Sequence, residues 1–273
     1  MQIIIAPAKL MIDNPADCPL FGNNTPMFQS DADHIAAAMC DYNVDQLADM
    51  LHINKELAIA AHRRYNDFFD PETRRAAISR YDGIVFKKIE AESLTPDQLG
   101  FADSHLNICS FLYGLLRPLD AINPYRLEGN VVLPAIGNIS IFDYWKPRLT
   151  DELIRRVKDD DGILVNLASN EMQKLFDWKR VKKELKVISP SFKVETLGIL
   201  RTITVYSKIC RGAMTRYIIQ NKITDPDELE GFDHIGFTFE GGTKTAPLFA
   251  VHLLLSNDCM ADARTCVRHT INL

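Results

Sequence analysis

The first apolar run, residues 2–5, is short and closed by Pro7, which predicts a buried strand at the start of the chain. Residues 13–26 hold three prolines, a glycine and three asparagines, the composition of a loop. Alanine-rich text over 31–40 reads as helix, followed by helices over about 43–51 and 55–66. Asp70-Pro71 has the grammar of an N-cap followed by a first helical residue, predicting a helix to about Tyr81. Gly83 then leads into an expected strand over 84–86. Thr95-Pro96-Asp97 opens another helix, predicted to run to about Asn107. Residues 110–128 are dense in Gly, Pro and Arg between apolar positions, a loop suited to burial around a site.

Helix is expected over 145–158, a turn over 159–162, a strand over 163–166 and a short helix over 171–176. Residues 186–206 alternate with period two around Gly198, predicting a strand and hairpin. A helix over 208–221, with Ser207 as N-cap, and a short one from Pro226 complete the pattern. Strands and helices interleave irregularly and no repeat is present. The reading is a mixed α/β (α+β) fold: a single compact domain with a mixed sheet and surrounding helices over residues 1–239, and an unassigned tail over 240–273.

Composition narrows the classes. Of 273 residues 47% are hydrophobic and 25% charged, which excludes a wholly disordered chain. No apolar run approaches the roughly 20 residues of a membrane helix, and the N-terminus lacks a leader pattern, so no membrane partner and a cytoplasmic location are expected. The six cysteines (Cys18, Cys40, Cys109, Cys210, Cys259 and Cys266) include no C-x-x-C pair, and the seven histidines lack ligand spacing. Neither a metal nor a cofactor is expected.

Charge changes the picture. The formal net charge is −5, yet residues 174–216 carry eleven Lys or Arg against three acids. That asymmetry points to an anionic partner at one face, or to a solvated basic surface beside an acidic one. Four constellations could use it. His52-Ile53-Asn54-Lys55 joins two helices, with Arg63 and Arg64 two turns on. It is either an ordinary αα-corner or a helix-hairpin-helix whose backbone N–H groups meet a DNA phosphate. The hairpin reading puts His52 and Asn54 where glycines are usual. Arg117 and Arg126 sit in apolar loops with Asp120 and Glu128 nearby, either a structural network or an anion site. Ser169 and Asn170 follow a strand end and precede Glu171, where they would cap a helix or meet a ligand. Lys208, Arg211 and Thr215 share a helix face beside Gly212, which permits close approach, and Arg216 follows.

The segments Pro7-Ala8-Lys9, "LYGLLRPLD" ending at Asp120, "PYRLE" ending at Glu128, "VNLASNE" ending at Glu171 and "RGAMTRYIIQNKI" from Arg211 together resemble the bacterial YaaA family pattern, in order, from Met1 to about Phe239. The resemblance implies a single mixed α/β domain with a helix-hairpin-helix and a basic cleft for double-stranded DNA. It also implies a role in survival of hydrogen peroxide, by limiting damage from intracellular iron. The chain departs from the pattern at Ala6 (usually Ser), Leu10 (usually Thr), Asn107 (usually Arg) and Phe111 (usually Gly). Two functions are carried forward. One is non-specific duplex binding through the hairpin and a basic cleft. The other is an enzyme acting on a phosphorylated or nucleoside-like substrate, a small anionic ligand held by Lys9, Arg117, Arg126, Lys208 and Arg211, with Glu128 or Glu171 as acid or base.

Overall fold

A computed structural model of the chain describes residues 1–15 and 24–252. Cys18, Cys259, Cys266, part of the expected 13–26 loop and most of the 240–273 tail lie outside the described residues. The chain forms a mixed α/β domain around a five-stranded sheet. Its strands are β1 (Gln2–Ile5), β2 (Leu106–Ser110), β3 (Gly114–Leu116), β4 (Ile163–Asn166) and β5 (Lys186–Ile188). The spatial order is β5-β4-β1-β2-β3, parallel except for β3, which returns antiparallel on β2. β1 is buried along its whole length, as a central parallel strand must be when both faces are covered.

A second sheet follows: β6 (Ser191–Thr196), β7 (Ile199–Arg201), β8 (Thr238–Thr243) and β9 (Ala246–His252), in the order β7-β6-β9-β8. β6 and β7 form the expected hairpin at Leu197-Gly198, both with positive φ. β9 lies parallel to β6, so the described part of the 240–273 stretch completes this sheet. Phe192, Phe232 and Phe249 pack together beneath it.

The helices are α1 (Gln29–Cys40), α2 (Val44–Leu51), α3 (Lys55–Asn66), α4 (Ile84–Ile89), α5 (Pro96–His105), α6 (Ile141–Asp159), α7 (Trp178–Glu184) and α8 (Thr204–Asn221). α2 starts with a reciprocal cap between Asn43 and Gln46 and ends at His52 in the left-handed conformation (φ 51°). Asn54 then caps α3 by accepting from the Leu57 N–H. A capping box between Thr95 and Gln98 starts α5.

Four expectations are corrected. Residues 84–86 are the first turn of α4, not a strand; a three-residue apolar run has no period of its own, and Lys87 and Lys88 continue it as a helix. The Asp70 cap is real, but it starts only a 3-10 turn, Pro71–Thr73. Arg75–Ala76 then pairs with Ala121–Ile122, and Tyr81–Asp82 with Leu10–Met11, around one helical turn at Ala77–Arg80. Tertiary pairing there overrides the capping signal. α5 stops at His105, because Leu106–Ser110 becomes the strand beside β1. Ser207 lies inside α8, which begins at Thr204.

His252 on β9 faces Glu195 of β6 through Nδ1, and its Nε2 lies 3.2 Å from Glu240 of β8. Glu240, then Glu195, holds the imidazole above its usual pKa. A raised folded value stabilises fully below the unfolded value of about 6.5 and is lost as pH rises through the folded value. Thermal melts of wild type and His252→Gln should therefore differ at pH 5.5 and converge by about pH 9. A difference independent of pH would show that the pairs contribute no proton-linked stability.

Candidate functional site

β1 is the point where the chain changes direction across the sheet: β2 lies on one side and β4 on the other. Loops leaving the carboxyl ends of such strands diverge and leave a crevice. A cavity of about 450 Å³ opens there. Residues 6–10 leave β1 and form one edge. Phe111 follows β2, and Leu167, Ser169, Glu171 and Met172 follow β4. Residues 82–86, residues 125–127, and Lys208 and Arg211 of α8 close the remaining walls.

Four cationic side chains line this space: Lys9, Arg126, Lys208 and Arg211. They divide into two kinds. Lys9 and Arg126 share one carboxylate. Lys9 Nζ lies 3.0 Å from Glu128 Oε2, and Arg126 Nη2 lies 3.0 Å from Glu128 Oε1. Arg126 Nη1 also donates to the Lys9 carbonyl at 2.9 Å, which ties the two loops together. Arg126 Nε is buried and has no hydrogen-bond partner among the described residues. The Tyr65 hydroxyl of α3 donates to the Arg126 carbonyl, so the helical hairpin braces this wall.

Lys208 and Arg211 are different, for among the described residues neither has a carboxylate within 4.0 Å. Lys208 is exposed and Arg211 half-buried. Burial, with no countercharge, pushes the Arg211 guanidinium below its usual pKa range. Gly212 explains how α8 brings Arg211 so close. A Cβ there would stand 2.3 Å from the Val85 carbonyl oxygen of α4, so only glycine permits the contact.

Apolar walls surround the charges. Phe111 and Tyr125 are buried, and the Tyr125 hydroxyl joins Tyr81 (2.9 Å) and Ser110 (2.8 Å) beneath the cavity. Burial pushes the Tyr125 phenol upward. Glu171 lines the cavity with its side chain exposed, and it has no ion pair among the described residues.

The remaining sequence candidates lie elsewhere. Arg117 pairs with Asp120 at 3.0 Å and lies 3.9 Å from Asp103. Arg216 donates to the carbonyls of Ile89 and Glu90, capping the C-terminus of α4. Asn170 accepts from Gln173 at the surface. On the hairpin, His52, Asn54 and Lys55 are exposed and Ile53 half-buried. Arg63 lies 3.9 Å from Asp67, and Arg64 is committed to Asp13 and the Met11 carbonyl.

Of the four departures from the family pattern, Ala6, Leu10 and Phe111 line the cavity. Asn107 is instead buried in β2, bonded to Gln2, to the Ile3 carbonyl and to Arg156. Sequence reading missed the wall at residues 82–86, which a strand would have turned away, and passed over Tyr125 between Pro124 and Arg126. Among the described residues no His, Cys, Asp or Glu cluster is placed to hold a metal, and no helix is long and apolar enough to cross a membrane.

Comparison with known proteins bears on all of this. The family model described as peroxide stress protein YaaA matches residues 1–242. A UPF0246 protein of Phocaeicola vulgatus is 47% identical over 232 residues, covering 85% of this chain and 91% of its own. A UPF0246 protein of Bacteroides thetaiotaomicron is 45% identical over 242 residues (88% and 93%). One from Porphyromonas gingivalis is 40% identical over 242 residues (88% and 94%).

Proposed function

This chain belongs to the peroxide stress protein YaaA family, and from that membership we propose that it serves the stress response by gripping DNA through its phosphates. The unpaired cations Lys208 and Arg211 at the cavity carry the reading. A half-buried guanidinium without a carboxylate is costly. Its retention beside a crevice makes sense where a ligand supplies the negative charge. Because the whole chain is net −5, attraction to DNA must be local. The turn between α2 and α3 is a second point of attachment, with His52, Asn54 and Lys55 exposed at the start of α3. Phosphate binding of this kind carries no sequence information, so it is non-specific.

The test is fluorescence anisotropy on duplex, nicked and bubble DNA across a salt series. Binding should weaken steeply with salt. Lys208→Ala with Arg211→Ala should weaken it and flatten the slope of log K against log salt, by about 0.9 for each phosphate that is no longer neutralised. Lys55→Glu with Arg63→Glu tests the hairpin separately. The absence of salt-sensitive binding to any of the three DNAs would overturn the proposal.

Glu171 favours a second reading. An unpaired carboxylate on the same cavity as Lys208 and Arg211 is the arrangement of a general acid or base beside an anion site. Turnover of a phosphorylated or nucleoside-like substrate that disappears in Glu171→Gln would support it.

A further inference from the structure

We propose that the cavity is a seat for one nucleoside 5′-phosphate, which rests on the phosphate-gripping reading and names what enters the site. The cations lie at two depths. Lys9 is 63% exposed and Lys208 is also at the surface, where a duplex backbone reaches them. Arg126 is only 13% exposed, and Arg211 is half-buried. The body of a duplex does not fit a space of about 450 Å³, so of a bound duplex only a single phosphate or a nucleotide turned out of the stack reaches them. Arg211 and Arg126 therefore meet one phosphate or one nucleotide at a time, whether it belongs to DNA or is free. That volume falls within the range of small-ligand sites, about 300–1,000 Å³, and is far larger than a bare phosphate requires.

The walls narrow the class. Phe111, Tyr125, Leu127, Leu167 and Met172 are buried apolar side chains lining the cavity, an apolar wall against which a heterocycle can be buried. Arg126 Nε supplies a buried donor with no partner, and Ser169 adds a hydroxyl. These are groups suited to the polar edge of a base. Arg211 and Lys208, the unpaired cations, take the phosphate. A planar apolar body with a polar edge and a dianionic end describes a nucleotide. It has two sources: a residue turned out of a bound duplex, or a free mononucleotide.

Two arms tell the sources apart, both on the full chain. In calorimetry, dAMP should bind at least about fivefold more tightly than inorganic phosphate, the least that one stacked base adds. In the second arm, a duplex carrying 2-aminopurine at a mismatch should brighten severalfold on saturation. That rise should vanish in Ser169→Trp, whose indole fills the cavity, when each protein is read at the concentration at which anisotropy shows the duplex saturated and the melt shows a folded protein. A dAMP preference with no 2-aminopurine signal supports the seat and assigns it to free nucleotide. A signal that disappears in Ser169→Trp supports it and assigns it to DNA. Equal affinity for dAMP and phosphate with no 2-aminopurine rise overturns the seat, as does a rise that Ser169→Trp leaves unchanged. In those cases anisotropy alone decides whether phosphate gripping still stands.

Discussion

Gly212→Val is expected to destabilise the fold by ~3 kcal/mol or more and to abolish anion binding in whatever fraction still folds. The clash is with backbone. The added Cβ would meet the Val85 carbonyl oxygen at 2.3 Å and its carbonyl carbon at 3.0 Å, with Lys88 Cβ at 2.8 Å. No rotamer change relieves a contact with a main-chain atom, so α4 and α8 must separate. Overpacking of this sort costs about 1–3 kcal/mol, and more when the backbone cannot yield. Gly212→Ala already meets the full clash, and valine adds two methyl groups to it. Separation would also move Ile84, Val85 and Phe86 on one wall away from Lys208 and Arg211 on the other. Gly100 on α5 is the control: a Cβ there meets nothing within 4 Å, so Gly100→Ala should stabilise by about 0.5–1 kcal/mol. Urea titrations of the three variants check the order. A Gly212→Ala protein as stable as wild type would mean that the close helix packing is absent in solution.

That packing also shows what could be read in advance. Gly212 stood out in the sequence as a place of close approach, but only the fold names Val85 as its neighbour. β1 was legible because four apolar residues before a proline admit little else. Residues 84–89 were not, because a short apolar run fits a strand or a helix turn equally and the packing against α8 decides between them. Leu106–Ser110 hid for a related reason: helix and strand adjoin at His105 with no breaker between them.

The candidate site divides the same way. Arg117, Arg126, Arg211 and Arg216 look alike along the chain, each an arginine in an apolar setting. Their fates depend on partners. Arg117 has Asp120 three residues on, which sequence shows, while Arg216 finds the end of α4, which sequence cannot show. Arg211 faces the crevice because Gly212 lets α8 pack closely on α4, and among the described residues no acid lies within ion-pair distance of it. The basic segment over 174–216 is split likewise. Arg180 on α7 is occupied by Glu184 and Asp151, and neither it nor Lys179, Lys182 and Lys183 lines the cavity. Of the chain's 31 lysines and arginines, four among the described residues line the cavity, a smaller number than the charge count over 174–216 implies.

Arg80→Met is expected to cost about 3–5 kcal/mol, although Arg80 touches no ligand-facing side chain and was not singled out by pattern. Its side chain is fully buried. Nη1 donates to the carbonyls of Ile12 and Asp13, each at 2.6 Å, and Nη2 donates to the carbonyl of Thr73. Burial pushes its pKa down to about 10, which still leaves it charged at neutral pH. Methionine fills a similar volume and relieves the buried charge. It also removes three hydrogen bonds from a charged donor, each contributing about 1.5–3 kcal/mol, to carbonyls of the exposed Ile12 and Asp13 and the half-buried Thr73. Relief of the charge offsets part of that sum. The effect reaches the cavity through the chain itself. Leu10–Met11 pairs with Tyr81–Asp82, and the Ile12 N–H donates to the Arg80 carbonyl. The strap over residues 10–13 is thus held by Arg80 from both its backbone and its side chain, and Lys9 hangs from the end of that strap. Arg80→Met should lower the thermal midpoint by about 10 °C and weaken anion binding beyond what the unfolded fraction explains. Arg80→Lys should recover only part of either, because an ammonium cannot span the three carbonyls as a fork does. Equal melting of Arg80→Met and wild type would show that the strap is held by its strand pairing alone.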